Sequence, residues 1–161
     1  MLHLINNVEQ IESGVRAIAY NGGNLYASQR LETNKMLRIA GAVLAGYAGV
    51  GVLVVLTDQI FAAAIPGFRA MTTPPLYYFV IVTGTDALYS VAGGYLSAAI
   101  ASGSVRRATL GLIVFGEIMG IVSAVAGWRI QPHWFALALL VLFPLGVWAG
   151  SRLRTGRGAN G

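Results

Sequence analysis

Two carboxylic acids stand where an apolar chain has little use for them. Asp86 lies in LYYFVIVTGTDALYSVAGGYLSAAIA, residues 76–101, and Glu117 lies in VFGEIMG, residues 114–120. Each is the only charge in its apolar run. A charge at the bilayer centre costs about 2.5–3.5 kcal/mol on insertion scales. A residue that bears it faces a neighbouring helix or a wet cavity, and it is neutral unless a cation lies beside it. The chemistry open to such a pair is hydrogen bonding between helices, proton sharing or cation binding. On 76–101, Thr83, Asp86, Ser90, Gly93 and Ser97 follow a spacing of three or four and form one polar, small stripe. At 1.5 Å per residue, Asp86 lies about 15 Å from the start of its run and Glu117 about 16 Å from the end of its own, both near mid-depth. Tyr47 falls at mid-depth of another run. Asp86, Glu117, Ser90, Tyr47 and Thr83 are therefore the candidate intramembrane polar site.

The elements that must hold these residues follow from composition. The chain has 161 residues, 56% hydrophobic and only 11% charged, against about 25% charged in soluble domains. A crossing helix needs roughly 20 apolar residues, and four runs qualify, 39–56, 76–101, 108–128 and 134–150. Thr72 and Thr73 before Pro74 and Pro75 read as an N-cap with first-turn prolines, and Gln131-Pro132 opens the last run in the same way. Gly103 marks a tight connection, and Pro144 predicts a kinked or tilted last helix. The long segment from Thr57 to Pro75 reads as an external loop lying on the membrane or against the bundle. The fold class expected is all-α: a four-helix transmembrane bundle preceded by a short amphipathic N-terminal helix.

That first segment, residues 1–35, places Leu4, Val8, Ile11, Val15 and Ile18 at helical spacing before Asn21-Gly22-Gly23-Asn24 breaks it. It lacks the basic start and apolar core of a signal peptide. It reads as a cytoplasmic helix, or as an extension ahead of a start at Met36. Residues 36–151 form the membrane domain, and 152–161 a basic disordered tail.

Lys35 and Arg38, then Arg106 and Arg107, then Arg152, Arg154 and Arg157 fall on one side of the threading; Arg69 and Arg129 fall on the other. The side richer in Lys and Arg is the cytoplasmic one, so both termini are expected in the cytoplasm of a bacterial cell, with the protein in the inner membrane. Tyr77, Tyr78, Trp128 and Trp134 sit at the outer ends, at headgroup depth. The formal net charge of +5 is thus topology with some contact to lipid headgroups, through Arg38, Arg106, Arg107, Arg152 and Arg154, and no nucleic acid partner is expected. There is no cysteine, hence no disulfide, thiolate metal site or thiol nucleophile. His3 and His133 lack metal-ligand spacing, and no HExxH, nucleophile elbow or phosphate-binding loop is present. Neither an enzyme, a metal nor a cofactor is expected.

Small residues at helical spacing supply the expected packing faces. These are Gly41, Ala45 and Gly49 on the first run, Gly93 and Ser97 on the second, and the GxxxG pair Gly116 and Gly120 beside Glu117 on the third. The short connection between the second and third runs makes them antiparallel neighbours.

From Met36 onward the chain resembles a group of small bacterial four-helix integral membrane proteins to which no activity is assigned. The resemblance rests on AGGYLSAAIA at residues 92–101, PHWFALAL at 132–139, VWAGSRL at 147–153, and Asp58 after the first run. Two features depart from that group: Pro144 is one residue further from Trp148, and Glu117 stands at an apolar place. The resemblance implies a fold and a location and carries no activity.

Two functions follow as expectations. In the first, Asp86 and Glu117 hydrogen-bond across helices, with Ser90 or Tyr47, and the protein packs with itself or with a membrane partner through its small faces. In the second, the two acids form the site of an oligomeric proton- or cation-coupled transporter. The sequence favours the first, because no His, Asn or basic counter-ion accompanies the acids.

Overall fold

A computed structural model describes the backbone of residues 2–71 and 74–158 and the side chains of 28–71 and 74–156. The order is α1 (Leu2–Ala64), a single 3-10 turn (Phe68–Ala70), α2 (Leu76–Ala101), α3 (Val105–Gly127) and α4 (His133–Gly158), with no strand among the described residues. All four α-helices contain a stretch long and apolar enough to cross a membrane. The protein is an all-α, multi-pass membrane protein.

The chain divides into two units, residues 1–37 and 38–161. In the first, the side chains described are exposed. Lys35 pairs with Glu32 at 3.0 Å, and the Thr33 hydroxyl donates to the Gln29 carbonyl at 2.9 Å. The expected break at Asn21–Asn24 is absent, because the backbone there is helical. Glycine lowers helix stability by about 1 kcal/mol per residue but does not forbid the helix. The predicted amphipathic side chains from Leu4 to Ile18 lie outside those described.

The second unit is the bundle. Among α2, α3 and α4, α2 packs more extensively on α4 than on α3. The reason is glycine on both partners. A methyl group on Gly94 would collide with the Val147 backbone, one on Gly150 with the Val91 carbonyl, and one on Gly146 would lie 2.7 Å from Ser90 Oγ. α1 joins through Gly46, where an added methyl would sit 2.9 Å from the Gly93 carbonyl oxygen. Two cores result. One, near the C-terminal end of α2, consists of Ala42, Ala101 and Ala108, with Ile39 and Ile100 against them. The other, near the N-terminal end of α2, consists of Phe79, Val82 and Phe135, with Phe61, Tyr78 and Leu139.

Several boundaries differ from expectation. α1 runs to Ala64, so Thr57, Asp58 and Phe61 belong to a helix and the loop begins only after it. Pro75 is the N-cap of α2 and precedes the helix; Thr72 and Thr73 lie outside the described residues. α3 starts at Val105, which puts Arg106 and Arg107 in its first turn. Both side chains are exposed, so water screens their unfavourable place on the helix dipole. Gly103 turns the α2–α3 connection with φ 82°, a conformation that suits glycine. α4 continues to Gly158, with Pro144 inside it. The supposed disordered tail is therefore helical from Arg152 to Gly158, and 159–161 lie outside the described residues. Its spacing places Gly146 and Gly150 one turn apart on one face, and α2 covers that face.

Candidate functional site

A cavity of about 210 Å³ lies within the bundle. All four helices contribute: Tyr47, Val50 and Val54 of α1, Asp86, Ala87 and Ser90 of α2, a stretch of α3 around Gly116, Glu117 and Gly120, and a stretch of α4 from Phe135 to Phe143. Gln131, in the α3–α4 connection, completes the lining. These residues come from the middle of the bundle and from the half nearer the N-terminal end of α2. Val50 and Ser90, which also lie against Gly93 and Gly146, mark where the cavity meets the glycine-packed half.

Four of the five residues of the expected polar site, Asp86, Glu117, Ser90 and Tyr47, meet at this cavity. Thr83 does not line it. Its hydroxyl donates to the Phe79 carbonyl at 2.7 Å, so the residue closes on its own helix. Ser90 is 1% exposed, and its hydroxyl contacts the carbonyls of Asp86 at 2.6 Å and Ala87 at 3.0 Å. It has one proton, and that proton is directed at its own backbone. Tyr47 packs edge-on against Phe115, with ring centroids 5.0 Å apart. Neither Ser90 nor Tyr47 bonds a carboxyl group. The cross-helix bond expected between the two acids is also absent: Asp86 Oδ1 and Glu117 Oε1 are buried atoms without a hydrogen-bond partner. Among the described residues no Lys, Arg or His lines the cavity, and no group of three His, Cys, Asp or Glu could hold a metal ion.

A polar seam beside the cavity was not foreseen. The Tyr78 hydroxyl donates to Asp58 Oδ1 at 2.8 Å. Thr57 Oγ1 lies 3.0 Å from the Leu53 carbonyl and 2.7 Å from the Tyr89 hydroxyl. Since Thr57 has one proton and the carbonyl can only accept, Tyr89 is the donor to Thr57. The two tyrosines are about three turns apart on α2, yet they reach adjacent residues of α1. Asp86 lies between them, on the face shared by 78, 82, 86 and 89. Tyr78 is therefore turned toward α1, whereas Tyr77, Trp128 and Trp134 are exposed. Reading Thr57 and Asp58 as loop hid this seam; continuing the apolar period through Ile60 and Phe61 would have placed both on the α1 helix.

The aromatic rings continue from this seam to the cavity. Phe61, Phe68 and Tyr78 meet with centroid separations of 5.0–5.9 Å, and Phe79 reaches Phe135, a lining residue, at 5.0 Å. Trp128 stacks on His133 at 4.2 Å. The Gln131 amide fills the space beside Gly127. Its position next to Pro132 pointed only to a helix start, so its place in the wall went unread.

The expected packing residues divide. Gly93 faces Gly46 and Val50, Gly49 touches Leu96, and Ser97 lies against Gly46. Gly116 and Gly120 do not admit another backbone: they receive the Phe143 ring and the Leu140 side chain of α4. Gly41 is exposed with open space beside it, and Ala45 is half-buried. Among the arginines, Arg38 Nε donates to the Ile100 carbonyl at 3.0 Å, satisfying a last-turn acceptor of α2. Arg152 lies 5.0 Å from the Trp148 ring. Arg106 and Arg107 are exposed and Arg154 half-buried.

Comparison with protein-family models, with curated proteins and with solved structures finds no match to this chain.

Proposed function

We propose that this protein is a non-enzymatic, multi-pass protein of a bacterial inner membrane, with both termini cytoplasmic, that takes a proton or a cation into its intramembrane cavity and couples that event to transport. One observation carries the reading: Asp86 Oδ1 and Glu117 Oε1, from two different helices, are buried beside a common cavity without a donor between them. A buried acceptor left without a donor costs about 1–3 kcal/mol. Two such acceptors on the wall of one cavity favour an exchangeable guest over a dry contact. The lack of a partner at both oxygens favours this reading over a structural bond between the acids. The resemblance to bacterial four-helix proteins supports the location, and the arginines at the α2–α3 connection and along α4 support the orientation.

The second reading, packing with itself or with a partner through small-residue faces, keeps one observation. Gly41 and Gly51 are exposed with nothing within 4 Å, whereas Gly46, Gly93 and Gly116 are already covered from within the chain.

The test is the carboxyl infrared band of the purified protein in lipid across roughly pH 5 to 9. Wild type is compared with Glu117→Gln and Asp86→Asn to assign the bands. Bands that follow bulk pH support the reading. Bands that do not move with pH or with added cation sink it.

A further inference from the structure

We propose that the guest of this cavity is a primary organic ammonium ion with a hydrocarbon body, about eight non-hydrogen atoms in all; the proposal rests on the cavity reading above and names its ligand class. Charge comes first. Two acids line the space, and among the described residues no basic side chain does, so a cation is the guest that neutralises them.

Hydrogen bonding narrows the cation. Asp86 Oδ1 and Glu117 Oε1 each lack a donor, and the Ser90 proton is directed at backbone carbonyls. A primary ammonium carries three N–H donors, enough in number for both oxygens. A quaternary ammonium brings the same charge and no donor. A hard metal ion requires a shell of oxygen ligands, and most of the wall offers none: Val50, Val54, Phe135, Leu139, Leu140 and Phe143 are apolar. These side chains call for a hydrocarbon body behind the charged head, and aromatic rings in the wall suit a cation or a flat ring.

Size sets the length. An apolar cavity of about 150 Å³ holds benzene, with its six carbons. The present 210 Å³ therefore leaves room for a ring and about two further atoms. Benzylammonium has that size and that chemistry.

The experiment uses the full chain in lipid nanodiscs and three probes that share one ring: benzylammonium, neutral benzyl alcohol and benzyltrimethylammonium. Binding is measured by equilibrium dialysis, and uptake by protein-free discs is subtracted. Benzylammonium is expected to bind saturably and at least tenfold more tightly than either other probe. Glu117→Gln and Asp86→Asn should each weaken it tenfold or more, while Gly41→Ala leaves it unchanged. Equal binding of the alcohol, equal or tighter binding of the trimethyl compound, or no saturable binding of benzylammonium overturns the proposal. The three wild-type measurements decide the matter even if a carboxyl variant fails to fold. Infrared separates the two levels of inference. Carboxyl bands that respond to pH but not to benzylammonium overturn the ligand class and leave the cavity reading standing; bands that respond to neither remove both.

Discussion

The two halves of the bundle solve the same packing problem in opposite ways. Toward the C-terminal end of α2, Gly46, Gly93, Gly94 and Gly150 bring backbones into contact, and Ala42, Ala101 and Ala108 are fully buried between the helices. Toward the N-terminal end, Phe61, Phe68, Tyr78, Phe79 and Phe135 form a continuous set of ring contacts. Small residues bring helices together until no space is left. Large rings hold them apart and meet only where their edges allow, so space remains beneath them. Helix association in lipid depends on such van der Waals fit, since lipid tails are as apolar as the side chains. The polar chemistry of the molecule follows the space: both acids lie where the helices separate.

Substitutions can break this contrast, and the largest effect is expected in the tight half. Gly94→Leu would drive a side chain into the Val147 backbone, which cannot rotate away. We expect a loss of about 3 kcal/mol or more, seen as failure to recover monodisperse protein. Gly94→Ala should cost about 1–3 kcal/mol in reversible unfolding in mixed micelles. At the aromatic end, Tyr78→Phe removes the donor to Asp58. Intramembrane bonds average about 0.6 kcal/mol, so a loss near 1 kcal/mol is the upper expectation, by the same assay. Ser97→Ala should reverse the sign. The Ser97 hydroxyl is fully buried in the tight half and has no partner, so its removal should stabilise by up to about 1 kcal/mol. The smallest effect belongs to Gly41→Ala, within about 0.5 kcal/mol of zero, because open space surrounds it. A Gly94→Ala protein as stable as Gly41→Ala would erase the distinction between covered and open glycines on which the contrast rests.

Much of the fold was legible because apolar length is a strong signal. The span 76–101 coincides with α2, and four of the five polar candidates share one cavity. Helix pairing was legible in part. The short connection placed α3 beside α2, where it packs, but it said nothing of α4, whose Gly146 and Gly150 fit against Ser90 and Val91 of α2. Gly146 and Gly150 share the four-residue spacing of Gly116 and Gly120, and spacing alone does not tell a glycine that meets a backbone from one that receives a side chain. The seam of Thr57, Asp58, Tyr78 and Tyr89 was lost for a different reason. Polar residues at the end of an apolar run look like a helix stop, yet tyrosine has the reach to satisfy them while the helix continues.

Pro144 stands where the two halves meet, between the cavity wall at Phe143 and the contact glycine at Gly146. Proline has no N–H, so the Leu140 carbonyl lacks its helical donor, and α4 loses one rung of its ladder beside the cavity. A missing rung is a point of mechanical compliance. The contact glycines Gly146 and Gly150 lie on one side of this gap and the cavity wall from Phe135 to Phe143 on the other, so the softest point of α4 falls between clamp and chamber.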